Sequence, residues 1–129
     1  MSEAGILTGS KLVAFVPTID PARARAFYEG VLGLTLVEET PFALVFDAAG
    51  TMLRVNTVRE LKPQPFTVLG WDVEAIVPVI ERLTAAGISF LRFSGMNDTD
   101  PHGIWTAPSG ARVAWFNDRD GNVLSLTQF

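Results

Sequence analysis

The sequence predicts an α+β domain of two four-stranded units, each backed by one helix. Three observations predict it. Short apolar runs recur between turn residues, as strands do. Two stretches carry apolar residues at helical spacing. The arrangement also repeats: the helix starts Asp20 and Glu74 are 54 positions apart, and so are the helix ends Gly33 and Gly87. A repeat of this kind makes one supersecondary unit used twice, β-α-β-β-β in each half.

The elements follow in order. Leu12 to Val16 reads as a strand. Asp20 then serves as an N-cap and Pro21 fits the first helical position. Ala24, Phe27, Tyr28 and Val31 fall at i, i+3, i+4 and i+7, one face of a helix that Gly33 ends in the left-handed region. Leu34 to Glu38, Phe42 to Phe46 and Met52 to Asn56 read as strands, the last two joined by an Ala48-Ala49-Gly50 hairpin. Thr57 to Pro65, with two prolines, is a linker. Phe66 to Asp72 is the next strand and Glu74 to Ala86 the second helix, with Pro78 tolerated in its first turn. Ile88 to Phe93 reads as a strand and Ser94 to Gly103 as a polar loop. Ile104 to Ala107 and Arg112 to Phe116 flank a Pro108-Ser109-Gly110 turn. Asp118 to Asn122 is a second turn and Val123 to Thr127 the last strand.

Composition narrows the chemistry. The chain has 129 residues, the size of one domain. It has no cysteine, which excludes disulfides, thiolate nucleophiles and cysteine-built metal centres. One histidine excludes any two-histidine site within the chain. A net charge of -4 opposes non-specific nucleic-acid binding. No apolar run is long enough to span a membrane, and Met1 to Gly9 lacks the basic and apolar regions of a signal peptide. Cytoplasmic residence is the expectation.

Three pieces of the chain carry a resemblance. They are Ile19-Asp20 leading to Ala26-Phe27-Tyr28-Glu29 and Val31-Leu32-Gly33-Leu34; Leu83 to Gly87 followed by a strand; and Asn117-Asp118-Arg119-Asp120-Gly121-Asn122-Val123-Leu124-Ser125-Leu126. Their order and the repeat resemble the vicinal oxygen chelate superfamily, which includes glyoxalase I, extradiol dioxygenases and the fosfomycin- and bleomycin-resistance proteins. Arg119 stands where that family's turn commonly has proline. The resemblance covers nearly the whole chain and implies one domain, with modules at about 10–57 and 66–129 and mixed sheets curled around a concave cleft. It also implies a homodimer and a small-molecule partner.

The family's metal enzymes place ligands on four strands. Carried onto this chain, those positions are Val13, Arg54, Val68 and Ser125. None offers a carboxylate or imidazole, and a guanidinium repels a cation. Shifting Arg54 or Val68 by one residue yields only Leu53, Val55, Thr67 or Leu69. The expectation is therefore no metal and no cofactor, and the metal-dependent activities do not transfer with the fold.

Strand alternation sorts the remaining candidates. Val13, Phe15, Arg54, Asn56, Val68, Gly70, Asp72 and Ser125 fall on the cleft side. Arg54 suits a carboxylate or phosphate; its plain alternative is an ion pair with Asp72 or Glu38. His102 is a general base or gate over the cleft, or an exposed loop histidine. Trp115 or its neighbour Phe116, together with Trp105, suits stacking on a flat ligand. Asn97 to Asp100 reads as turn chemistry, and Asp118 to Asn122 as a hairpin, since it lacks the twelfth-position Glu of a calcium loop. No catalytic residue is assigned. The leading expectation is a metal-independent protein binding a small organic molecule. The alternatives are a lyase or dioxygenase holding a metal through Asp72, Asp47 or His102, and a module whose groove is filled by Phe15, Trp105 and Arg54.

Overall fold

Ten short elements in a computed structural model, which describes residues 5–129, build the molecule. They run β1 (Val13–Thr18), α1 (Pro21–Arg25), β2 (Thr35–Glu39), β3 (Ala43–Ala48), β4 (Thr51–Thr57), β5 (Thr67–Asp72), α2 (Ile76–Ala85), β6 (Trp105–Thr106), β7 (Arg112–Asn117) and β8 (Val123–Gln128). Two four-stranded mixed sheets result, ordered β1-β4-β3-β2 and β5-β8-β7-β6. In each, the first strand runs parallel to the fourth and the other pairs are antiparallel. This is the βαβββ repeat in three dimensions. Both sheets are open, and β1 lies against β5.

The predicted punctuation forms for the predicted reasons. Asp20 Oδ1 accepts from the Arg23 amide at 3.1 Å, with Pro21 opening α1. Gly33 and Gly87 end the two helical stretches with φ of 76° and 96°, a region a Cβ disfavours. Helix α2 starts without its own capping side chain. Gln128 at the end of β8 fills that role, accepting from the Ile76 amide at 2.9 Å.

One feature departs from a regular helix. Past Arg25, α1 widens into a π-helical segment, Ala26–Val31, in which the Leu32 amide donates to Phe27 O at 2.9 Å. Phe27 and Tyr28 on this segment both lie in the core, each 1% exposed. Their rings meet edge to face at 5.1 Å.

The predicted strand at Ile88 to Phe93 is corrected. Only Phe90 bridges to β7, opposite Phe116, and the Leu91 amide donates to Trp115 O at 2.8 Å. The chain then leaves the sheet and returns as β6, two residues against Val113 and Arg112. A loop has split one edge strand, which restores the four-strand count of the module. The loop is built rather than slack. Asn97, 1% exposed, accepts from the Phe93 amide at 2.7 Å and donates to Leu91 O at 3.0 Å and Gly103 O at 2.6 Å, which ties its two ends together. The Arg92 guanidinium donates to the carbonyls of Asn97, Asp98, Asp100 and Pro101. Asp100 Oδ2 accepts from the His102 and Ile104 amides, which holds its carboxyl below the usual range.

The helix-facing sides of the sheets share one core. Val16, Leu44, Phe46, Leu53, Val55, Ala114, Phe116, Leu124 and Leu126 come from the strands. Phe27, Tyr28, Ile76, Ile80 and Leu83 come from the helical segments. The hairpin turn after β7 clips the second module to the first. Asp118 Oδ2 accepts from the Tyr28 hydroxyl at 2.7 Å. Asp120 accepts from Thr18 Oγ1 at 2.6 Å, from the Ile19 amide and from Arg23. Asn122 donates to Pro17 O at 2.9 Å. Arg119 lies over the Phe27 ring at 5.3 Å.

Candidate functional site

The opposite sides of the sheets, away from the core, carry the candidate site. Alternation puts Leu53 and Val55 inside and Met52, Arg54 and Asn56 outside on β4. On β1 it puts Val16 and Thr18 inside and Val13 and Phe15 outside, with Phe15 57% exposed. On β5, Leu69 and Trp71 pack inward while Val68 and Asp72 are exposed.

Strand register then assembles two matching rows. In the first sheet, Arg54 sits between Phe15 of β1 and Val45 of β3. In the second, Ser125 sits between Gly70 of β5 and Trp115 of β7. Arg54 and Ser125 are therefore equivalent by the repeat. The Ser125 side chain, 8% exposed, fills the space over Gly70: a Cβ on Gly70 would meet Ser125 Oγ at 2.5 Å.

Beside Ser125 stands an aromatic group. The Trp105 and Trp115 rings are 6.2 Å apart, and Phe93 meets Trp115 edge to face at 5.5 Å. Phe93 and Met96 come from the loop that splits the edge strand, so the loop widens the aromatic surface. A cavity of about 380 Å³ lies here, lined by Phe66, Phe93, Met96, Trp115 and Val123 among others. On the first sheet a cavity of about 440 Å³ lies among Lys11, Leu12, Val13, Val37, Val45, Asp47 and Met52. Small-molecule sites have this make-up, apolar walls with few polar groups. Phe66, Phe93 and Met96 join the candidate site beyond the residues that strand alternation places there. Their only sequence signal was apolar residues at the edges of polar segments.

The structure does not gather the other candidates. His102 faces α2 across the outer side of the second module, its Nε2 3.5 Å from Glu81. It lines a separate cavity of about 610 Å³ with Ile80, Glu81 and Thr84. Asp47 Oδ1 accepts from the Gly50 amide in the β3–β4 turn. Among the described residues, no group of three or more His, Cys, Asp or Glu side chains is placed to hold a metal ion. The residues at the positions of a family metal site do not fit one: two valines, a serine and an arginine. The ion pair of Arg54 with Asp72 or Glu38 does not form. Nor is the groove filled by Phe15, which stands 57% exposed.

Comparison with known proteins agrees with this geometry. The model of the Glyoxalase/Bleomycin resistance protein/Dioxygenase superfamily matches residues 11–126. No curated protein matches the sequence. Among solved structures, a superfamily member from Sphaerobacter thermophilus is similar at TM-score 0.73 and 22% identity, over 96% of this chain and 100% of that one. TioX from Micromonospora sp. ML1 is similar at 0.70 and 22%, over 93% and 98%. A lactoylglutathione lyase from Agrobacterium tumefaciens is similar at 0.70 and 18%, over 93% of each chain. At such identities the likeness is one of fold.

Proposed function

The chain belongs to the glyoxalase/bleomycin resistance protein/dioxygenase superfamily, and from that premise we propose that it is a metal-independent binding protein that takes up a small organic molecule on the open faces of its sheets. The observation that carries the proposal is the chemistry of those faces. They offer Phe15, Val68, Phe93 and Met96 exposed at 57%, 39%, 41% and 47%, with Trp105 and Trp115 beside them. Among the described residues they gather no group of three or more carboxylates or imidazoles able to hold a metal ion. A surface of this kind lowers its free energy by covering apolar area, at roughly 25 cal/mol per Å².

A homodimer is part of the same reading. Each sheet carries its own shallow cavity, and an exposed apolar face of this extent marks a binding or assembly surface. A second copy laid over these faces would deepen both cavities. Cytoplasmic residence belongs to it too, supported by a cysteine-free composition without the disulfides small secreted domains use.

A thermal-shift screen of small organic molecules in metal-free buffer tests the reading. A true ligand at a hundredfold excess over its Kd stabilises by about 2.7 kcal/mol, several degrees in Tm. The gain should be unchanged by EDTA. Stoichiometric uptake of Ni, Zn, Fe or Mn, with turnover appearing on addition, would replace this reading with a metal enzyme.

A further inference from the structure

We infer that Arg54, with Asn56 beside it, anchors an oxyanion, so that the ligand of the first sheet is an organic carboxylate with an apolar body. The inference rests on the binding reading above and names its ligand class.

Among the described residues Arg54 combines partial burial with no side-chain partner, whereas Arg59 and Arg82, which also lack one, are exposed. Arg23 pairs with Asp120, and Arg25 with Glu29 and Glu39. Arg92 is engaged by four loop carbonyls and Arg119 lies over Phe27. Arg112 feels the Asp100 carboxylate. Arg54 is half-buried, and none of the ion pairs or side-chain hydrogen bonds among the described residues involves its guanidinium.

The sheet itself explains why. The strand neighbours of Arg54 are Phe15 and Val45, and those of Asn56 are Pro17 and Ala43. None of these side chains accepts a hydrogen bond. Glu38, in the same row beyond Val45, makes no ion pair with Arg54, and Asp47, two residues along β3, is turned to the Gly50 amide. Arg54 and Asn56 thus present free donors two residues apart, about 7 Å along one face of the strand. A guanidinium shielded by apolar groups without a counterion is costly, and a planar two-oxygen anion fits its donor fork. Phe15, beside it and open to solvent, supplies a platform for the apolar part of the ligand. The chain's net charge of -4 disfavours casual anion adsorption, so any anion captured here is captured locally.

Calorimetric titration with 2-naphthoate and its neutral isostere 2-naphthamide tests this on the intact protein and on Arg54→Met, Arg54→Gln and Arg54→Lys. The acid should bind the unaltered chain about ten- to a hundredfold more tightly than the amide, the range of a charge-assisted pair. Arg54→Met and Arg54→Gln should lose that advantage and leave amide binding unchanged. Arg54→Lys should keep part of it, since an ammonium retains charge without the fork. Equal binding of acid and amide, with no effect of either neutral variant, would overturn the anchor and leave the binding reading standing. Binding of neither probe at millimolar concentration would overturn the anchor and count against the binding reading as well. An unchanged far-ultraviolet spectrum in both neutral variants separates a lost anchor from a lost fold.

Discussion

Ala49 holds a φ of 50° in the two-residue β3–β4 turn, next to Gly50 at 91°. Such a turn prefers Asn-Gly, and alanine carries a Cβ strain that asparagine tolerates better. Ala49→Asn should stabilise the protein by about 0.5–1 kcal/mol in urea denaturation. Gly70 makes the opposite case. Gly70→Ala forces the Ser125 hydroxyl to move, at a cost of about 1 kcal/mol. Adding Ser125→Ala should recover most of it, so the two substitutions should be non-additive. Tyr28, the chain's one tyrosine, gives a pH prediction. Burial first, then the Asp118 carboxylate, pushes its phenol far up. The unfolded phenol ionises near pH ~10 while the folded one keeps its proton. The contribution is therefore complete below that pH and declines above it. Tyr28→Phe should cost about 1–3 kcal/mol at neutral pH and flatten this alkaline decline.

Between elements, the loop that splits the second module's edge strand is the main departure from the sequence expectation. Ile88, Phe90, Leu91 and Phe93 have strand composition, and one strand-like residue, Phe90, does bridge to β7. Local pattern has no means of showing that the chain leaves the sheet and rejoins the same edge as β6. That depends on Asn97 bonding to Leu91 and Gly103, contacts set by tertiary folding. The Gln128 cap on α2 was illegible for the same reason, since its partner is 52 residues away. By contrast, Asp20-Pro21, Gly33, Gly87 and the Ala49-Gly50 turn act through neighbouring backbone, and sequence placed them correctly. Asn97→Ala leaves two carbonyls and one amide unpaired. It should cost about 3 kcal/mol and speed hydrogen exchange in residues 91–104 while β4 stays protected.

At the scale of the molecule, the repeat brings Arg54 and Ser125 to equivalent register positions on the two sheets, Arg54 half-buried beside Phe15 and Ser125 buried beside Trp115. Strand alternation made most of this legible, because a period of two fixes the face once a core residue is known. The contributions of Phe66, Phe93 and Met96 were not legible, because they depend on where a linker and a loop come to rest. Nor was the position of His102, which the loop carries to α2 rather than to an open face. The proposed molecule is a dimer of this superfamily's fold that binds an organic molecule without a metal. Native mass spectrometry of the gently purified protein reads assembly and cargo together. A dimer that takes up added organic ligand stoichiometrically after EDTA treatment is expected. A monomer that takes up none, or a stoichiometric transition metal required for uptake, would contradict it.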